Sequence, residues 1–143
     1  MNHPSPVPQG DYMPARRHGD MIWTSGMTPR RAGVLLHAGP VTALQPIEDW
    51  REAMELATMN ALTAAEGVLA DDEVIAACLS LTVWICSGPD FTAHSRMADM
   101  ASAVLTARLG EAGRCARAAV GASSLPGNAP FEVQLVVAVG RAG

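Results

Sequence analysis

From Ile75 to Cys86 the chain alternates without a break. Ile75, Ala77, Leu79, Leu81, Val83 and Ile85 fall on one side of a pleated strand. Ala76, Cys78, Ser80, Thr82, Trp84 and Cys86 fall on the other. The first set is wholly apolar and should meet helices. The second, with Ser80, Thr82 and Trp84, suits a partly polar neighbour such as a cavity or a second subunit. A later stretch, Phe131–Val139, places Phe131, Val133, Leu135, Val137 and Val139 on one face, with Glu132 and Gln134 opposite. A shorter apolar strand, Ala116–Ala122, precedes it across a turn at Leu125-Pro126-Gly127-Asn128.

The remaining pattern predicts two helices and a hairpin. Pro46, Glu48 and Asp49 mark a helix start, proline in the first turn and acids facing the positive end of the dipole. Trp50, Ala53, Met54, Ala57, Ala61, Ala64, Ala65 and Val68 then form one apolar stripe. Asn60 sits on its flank as an ordinary polar residue. The second helix is capped by Asp90 or Thr92, buries Met97, Met100, Ala101, Val104 and Leu105, and ends at Gly110. Near the start, Tyr12 to Arg16 can pair with Met21 to Ser25 across Arg17-His18-Gly19-Asp20. At Ser25-Gly26 the missing side chain lets the backbone approach a neighbour or ligand. Thr28 to Val41 reads as a loop with a short strand at Val34–Leu36, and Arg30 and Arg31 as a solvated turn without chemistry.

These elements predict one α+β domain over residues 1–143, with residues 1–9 a weakly ordered arm. Two helices cover one face of a mixed sheet of about five to six strands. The other face is left open, which favours an oligomer.

Composition narrows the function classes. Of 143 residues 49% are hydrophobic and 17% charged, enough for a single core, and the net charge of −4 gives no footprint for nucleic acid. No apolar run approaches the length of a membrane span, and the first residues lack the marks of a secretory signal. Cys78, Cys86 and Cys115 are odd in number and match no zinc spacing; the four histidines are scattered. A cytoplasmic protein with reduced thiols and no metal or cofactor is expected.

Arg117 stands among Ala116, Ala118 and Ala119. A guanidinium in an apolar run is costly to bury unless it meets a carboxylate or a polar cavity. Glu132, on what reads as the neighbouring strand, is one partner; a carboxylate ligand is the other.

The series Arg117…Leu125-Pro126…Glu132 resembles the Rid family (YjgF/YER057c/UK114), whose members include endoribonuclease L-PSP-like proteins. Gly10-Asp11-Tyr12, the Thr24-Ser25-Gly26 strand end and the Asp90-Phe91 pair carry the resemblance across residues 10–139. The run AGRCARAAVGASSLP is most similar to a diverged subgroup of poorly defined function. The resemblance implies a chorismate-mutase-like fold, a homotrimer with sites between subunits, and a small-molecule carboxylate ligand. It further implies a hydrolase, a deaminase of 2-imino or 2-enamino carboxylic acids. Arg117 would grip the substrate carboxylate and Glu132 orient the water; Tyr12, Ser25 and Ser95 would line the pocket. The alternative is a non-catalytic protein that binds small carboxylates in the same cleft. The acidic balance argues against the RNA cleavage attributed to some members. Ala119, Ser95 and Met27 stand where deaminating members often carry Cys, Asn and Gln, so the pocket is remodelled around a retained Arg and Glu.

Overall fold

A computed structural model of the chain describes residues 3–143. Strand β1 (Ala15–His18) turns through Gly19-Asp20 into β2 (Met21–Thr24), with Gly19 in the left-handed region. The hairpin is tighter than the sequence suggested. His18 pairs with Met21, and Tyr12 precedes the strand rather than lying in it. The two-residue strands β3 (Arg30–Arg31) and β4 (Val34–Leu35) form a small separate sheet. Helix α1 spans Arg51–Glu66, β5 Glu73–Cys86, α2 His94–Leu109, β6 Ala116–Ala122 and β7 Phe131–Arg141.

The main sheet runs β1-β2-β7-β5-β6, with β5 and β6 parallel and the other pairs antiparallel. Both helices pack on one face, as an α+β layout requires. Among the described residues no helix is long and apolar enough to cross a membrane.

This order corrects the reading of β6 and β7 as neighbours. Residues 123–130 cross the end of β5, where Cys86 N–H donates to the Pro130 carbonyl and Ser87 N–H to that of Ala122. Strand β5 therefore lies between them. The turn chemistry at Leu125–Asn128 looked like a hairpin signal, but it serves a crossing connection.

The core lies between sheet and helices. Leu81, Val83 and Ile85 of β5 interlock with Phe131, Val133, Leu135 and Val137 of β7, all fully buried. They meet Met54, Ala57, Ala61 and Ala65 of α1 and Met97, Ala101 and Leu105 of α2. Small alanines let α1 approach closely. Leu62, Thr58 and Asn60 are buried too, so α1 is enclosed on more than the stripe read from its period.

Two register shifts in β5, between Ile75 and Ala77 and between Cys78 and Ser80, break its expected alternation. They turn Cys78 inward and Leu79 outward, the reverse of the simple pleat. Burial pushes the Cys78 thiol up to about 12, so it is held as a neutral apolar filler. The second helix begins at His94, and neither Asp90 nor Thr92 caps it through its side chain.

Among the described residues no helix packs on the other face of the sheet. Trp23, Leu79 and Val120 are exposed there, and the half-buried Trp84 sits between its pairing partners Glu132 and Val120.

Candidate functional site

Glu132 is the second residue of β7, and its alternation with Phe131 and Val133 turns it onto the helix-free face. Its side chain lies over Gly26, at the end of the β1–β2 hairpin. A Cβ on Gly26 would stand 2.7 Å from Glu132 Cγ, so the Glu132 side chain can hold this position only over a glycine. The two segments are locked by reciprocal bonds of 2.8 Å between Met27 and Val133. Met27 itself points into the core.

Glu132, Tyr12, Ser25, Gly26, Arg30 and Gln9 border a cleft of about 420 Å³, with Thr28 and Pro126 completing the wall. Burial pushes the Glu132 carboxyl above the usual glutamate range, and among the described residues no cation offsets it. Ser25 Oγ donates to the Met13 carbonyl at 2.6 Å, which leaves its lone pairs to face a ligand. Tyr12 Oη accepts from the Gln9 backbone N–H at 3.0 Å and keeps its own proton free to donate. These groups offer a poised carboxylate, a hydroxyl donor and a hydroxyl acceptor around one cavity.

The sequence reading took Asn60 for an ordinary polar residue on a helix flank and Arg30 for part of a solvated turn without chemistry; the structure buries Asn60 and places Arg30 on the cleft wall. Asn60 is 4% exposed, and its amide donates to the carbonyls of Thr28 at 3.0 Å and Arg30 at 2.8 Å. It thereby fixes the backbone that carries Arg30. His3 of the arm lies 2.6 Å from its side-chain oxygen, so all of Asn60's polar atoms are engaged. An Asn beside a run of helix alanines was the available signal: a buried amide needs a job.

Arg117 lies elsewhere. It pairs with Leu81 of β5, whose side chain faces the helices, whereas Glu132 pairs with Trp84 on the opposite face. Its Nη1 donates to Asp99 Oδ1 at 2.8 Å and Ser102 Oγ at 2.9 Å; its Nη2 donates to Ser95 Oγ at 2.8 Å and the Ser95 carbonyl at 3.2 Å. Ser95, Asp99 and Ser102 follow the i, i+4, i+7 spacing of one helical face. That polar stripe on α2 was legible in the sequence beside the apolar one.

Within one chain, therefore, Tyr12, Ser25 and Glu132 come together, as do Arg117 and Ser95. The two groups are separated by the sheet, and the intrachain Arg117–Glu132 pair is not formed; Asp99 takes its place. Ala119 follows Arg117 on the helix-facing side and packs against the core.

No family model matches the chain. Protein TCP17 of Trypanosoma cruzi is 28% identical over 132 residues, covering 92% of this chain and 82% of its own. The protein Atu1372 of Agrobacterium tumefaciens, of unknown function, is 31% identical with a TM-score of 0.81, covering 94% of this chain and 86% of its own. YjgF of E. coli has the same fold at 20% identity, with a TM-score of 0.62 and coverage of 96% and 94%. TdcF of E. coli, solved with bound serine, has it at 18% identity and a TM-score of 0.63, with coverage of 96% and 95%.

Proposed function

Because this chain belongs to the Rid (YjgF/YER057c/UK114) family, we propose that its Glu132 cleft hydrolyses small 2-imino carboxylic acids and their enamine tautomers. The observation that carries this reading is a half-buried carboxylate, engaged in no ion pair among the described residues, in a cavity of substrate size. Water held by Glu132 adds to the imine carbon and passes a proton to the carboxylate. The new C–O bond forms as the C=N π pair moves to nitrogen, which takes that proton to give a carbinolamine; the hydroxyl proton then follows the same route to nitrogen as the C–N bond breaks, leaving a 2-oxo acid and ammonia. An imine is already electrophilic, so placement of the water matters more than a strong nucleophile.

The carboxylate of such a substrate needs a cation, and Arg117 supplies it from a second copy of the chain. Strand β6 is the edge of the sheet, so its guanidinium lies at a rim that a neighbour's cleft can meet. The exposed apolar residues of the helix-free face give copies of this chain a surface to bury, and a homotrimer closes it. A ligand carboxylate then exchanges with Asp99, which is 67% exposed at its side chain, while Ser95 and Ser102 keep the guanidinium aimed. TdcF holds serine, a small amino acid with the same carboxylate, which supports this ligand class.

The grip of Asp99 on Arg117 also favours a second reading, binding of a small carboxylate without turnover, since a shared guanidinium holds its ligand less rigidly. Ammonia release from imines generated in situ decides between them. Wild type should exceed buffer, and Arg117→Ala and Glu132→Gln should each abolish the excess. Binding of 2-oxo acids with no excess ammonia would select the binding protein.

A further inference from the structure

Arg30 is a half-buried guanidinium whose charge no described residue neutralises. Its Nη1 donates to the Gly33 carbonyl at 3.0 Å, inside its own hairpin, and no carboxylate lies within ion-pair reach among the described residues. That is one engaged donor of the five a guanidinium carries. The group is nevertheless held in place. Its Nη2 packs over Gly127, 2.7 Å from where a Cβ would stand, and that glycine is in the left-handed region. Its backbone is fixed by Asn60. A fixed, partly dehydrated and unpaired cation is costly unless an anion completes it.

Arg30 borders the Glu132 cleft, where Gln9, Tyr12, Ser25 and Thr28 are the uncharged polar residues of the wall. Among the described residues Glu132 is the one acid on that wall.

We propose that Arg30 selects substrates bearing a second anionic group, so that the cleft takes 2-imino dicarboxylic acids in preference to monocarboxylic ones. This rests on the reading above in placing the ligand in the Glu132 cleft with its 1-carboxylate on Arg117 of a neighbouring copy. The 1-carboxylate goes to Arg117 of the neighbouring copy and the side-chain carboxylate to Arg30, with the reacting carbon between them. A monocarboxylate would close the cleft over an uncompensated guanidinium; a dicarboxylate pairs both.

The test is calorimetric binding of two stable product analogues, 2-oxoglutarate and 2-oxobutanoate, to the full chain, with ammonia release from the corresponding imines followed in parallel. Wild type should bind 2-oxoglutarate at least about tenfold more tightly, the range of one charge-assisted pair. Arg30→Met should bring the ratio within about twofold, and Arg30→Lys should keep part of it because the charge remains. Circular dichroism of each variant separates misfolding from lost selectivity, and the lysine variant carries the test if the methionine one does not fold. Equal affinities in wild type, a preference that survives Arg30→Met, or no binding of either acid would overturn the proposal. A preference that depends on Arg30 with no ammonia release would overturn the hydrolase reading and leave this one standing.

Discussion

The carboxylate arm of Glu132 fills the space that a side chain on Gly26 would need, its Cδ 2.6 Å from the missing Cβ. Acid and glycine are thus one unit, although 106 positions separate them (132 − 26). Gly26→Ala should swing Glu132 out of the cleft, cost about 1–2 kcal/mol in urea unfolding and reproduce the ammonia-release defect of Glu132→Gln. A variant as active and stable as wild type would mean the two side chains fit together.

Glu132 also writes a pH signature. Burial raises its pKa in the folded chain, so the folded state holds that proton to higher pH than the unfolded state does. Stability contributed by the neutral form is present below the unfolded value and lost as pH rises through the folded one. Glu132→Gln avoids that loss. Its Tm should exceed wild type by about 2 °C at pH 7 and match it near pH 4.

The opposite sign holds at Glu73. Arg17 Nη2 donates to Glu73 Oε2 at 2.8 Å, Ala70 N–H donates to Oε1 at 2.8 Å, and the side chain is 7% exposed. The hydrogen bond from Arg17, helped by that backbone bond, holds the carboxyl at about 2. Stability from this pair is complete above the ordinary glutamate value and drains away as pH falls from about 4.5 towards about 2. Thermal melts of Glu73→Gln across that interval should be flatter than those of wild type.

Asp99 competes with any carboxylate for Arg117. Asp99→Asn should tighten 2-oxobutanoate binding about two- to fivefold and change stability by less than about 1 kcal/mol, since Asp99 itself is largely exposed and Ser95 and Ser102 still hold Arg117. Calorimetry at low and high salt would read both effects, and weaker binding in the variant would place Asp99 among the groups that hold Arg117 for its ligand.

Association through the helix-free face should depend on Val120, which pairs with Trp84 and is 42% exposed. Val120→Asp should weaken self-association at least tenfold by sedimentation, and Trp84 fluorescence of wild type should change on dilution. Unaltered mass in the variant would move the interface elsewhere.

Much of this architecture was legible in the sequence because period and composition act locally. The alternation of Phe131 to Val139 placed Glu132 off the core, and the alanine stripe of α1 predicted its packing face. What the sequence hid was long-range. Whether β6 pairs with β7 or with β5 depends on the crossing over α2, which no turn residue announces. The bulges that invert Cys78 and Leu79 leave no mark in a string of apolar residues. Arg30 looked like surface because its partners, Gly33, Gly127 and the Asn60-braced backbone, are drawn from three separate segments.

Asn60 ties those segments into a lever. One amide grips the carbonyls on which the cleft cation is mounted and, at its other end, the ring of His3. His3 is thereby one side chain away from the wall of the cavity and from its charge. A change of side chain at His3 is thus also a change at the support of the cleft cation, 27 positions further along the chain (30 − 3).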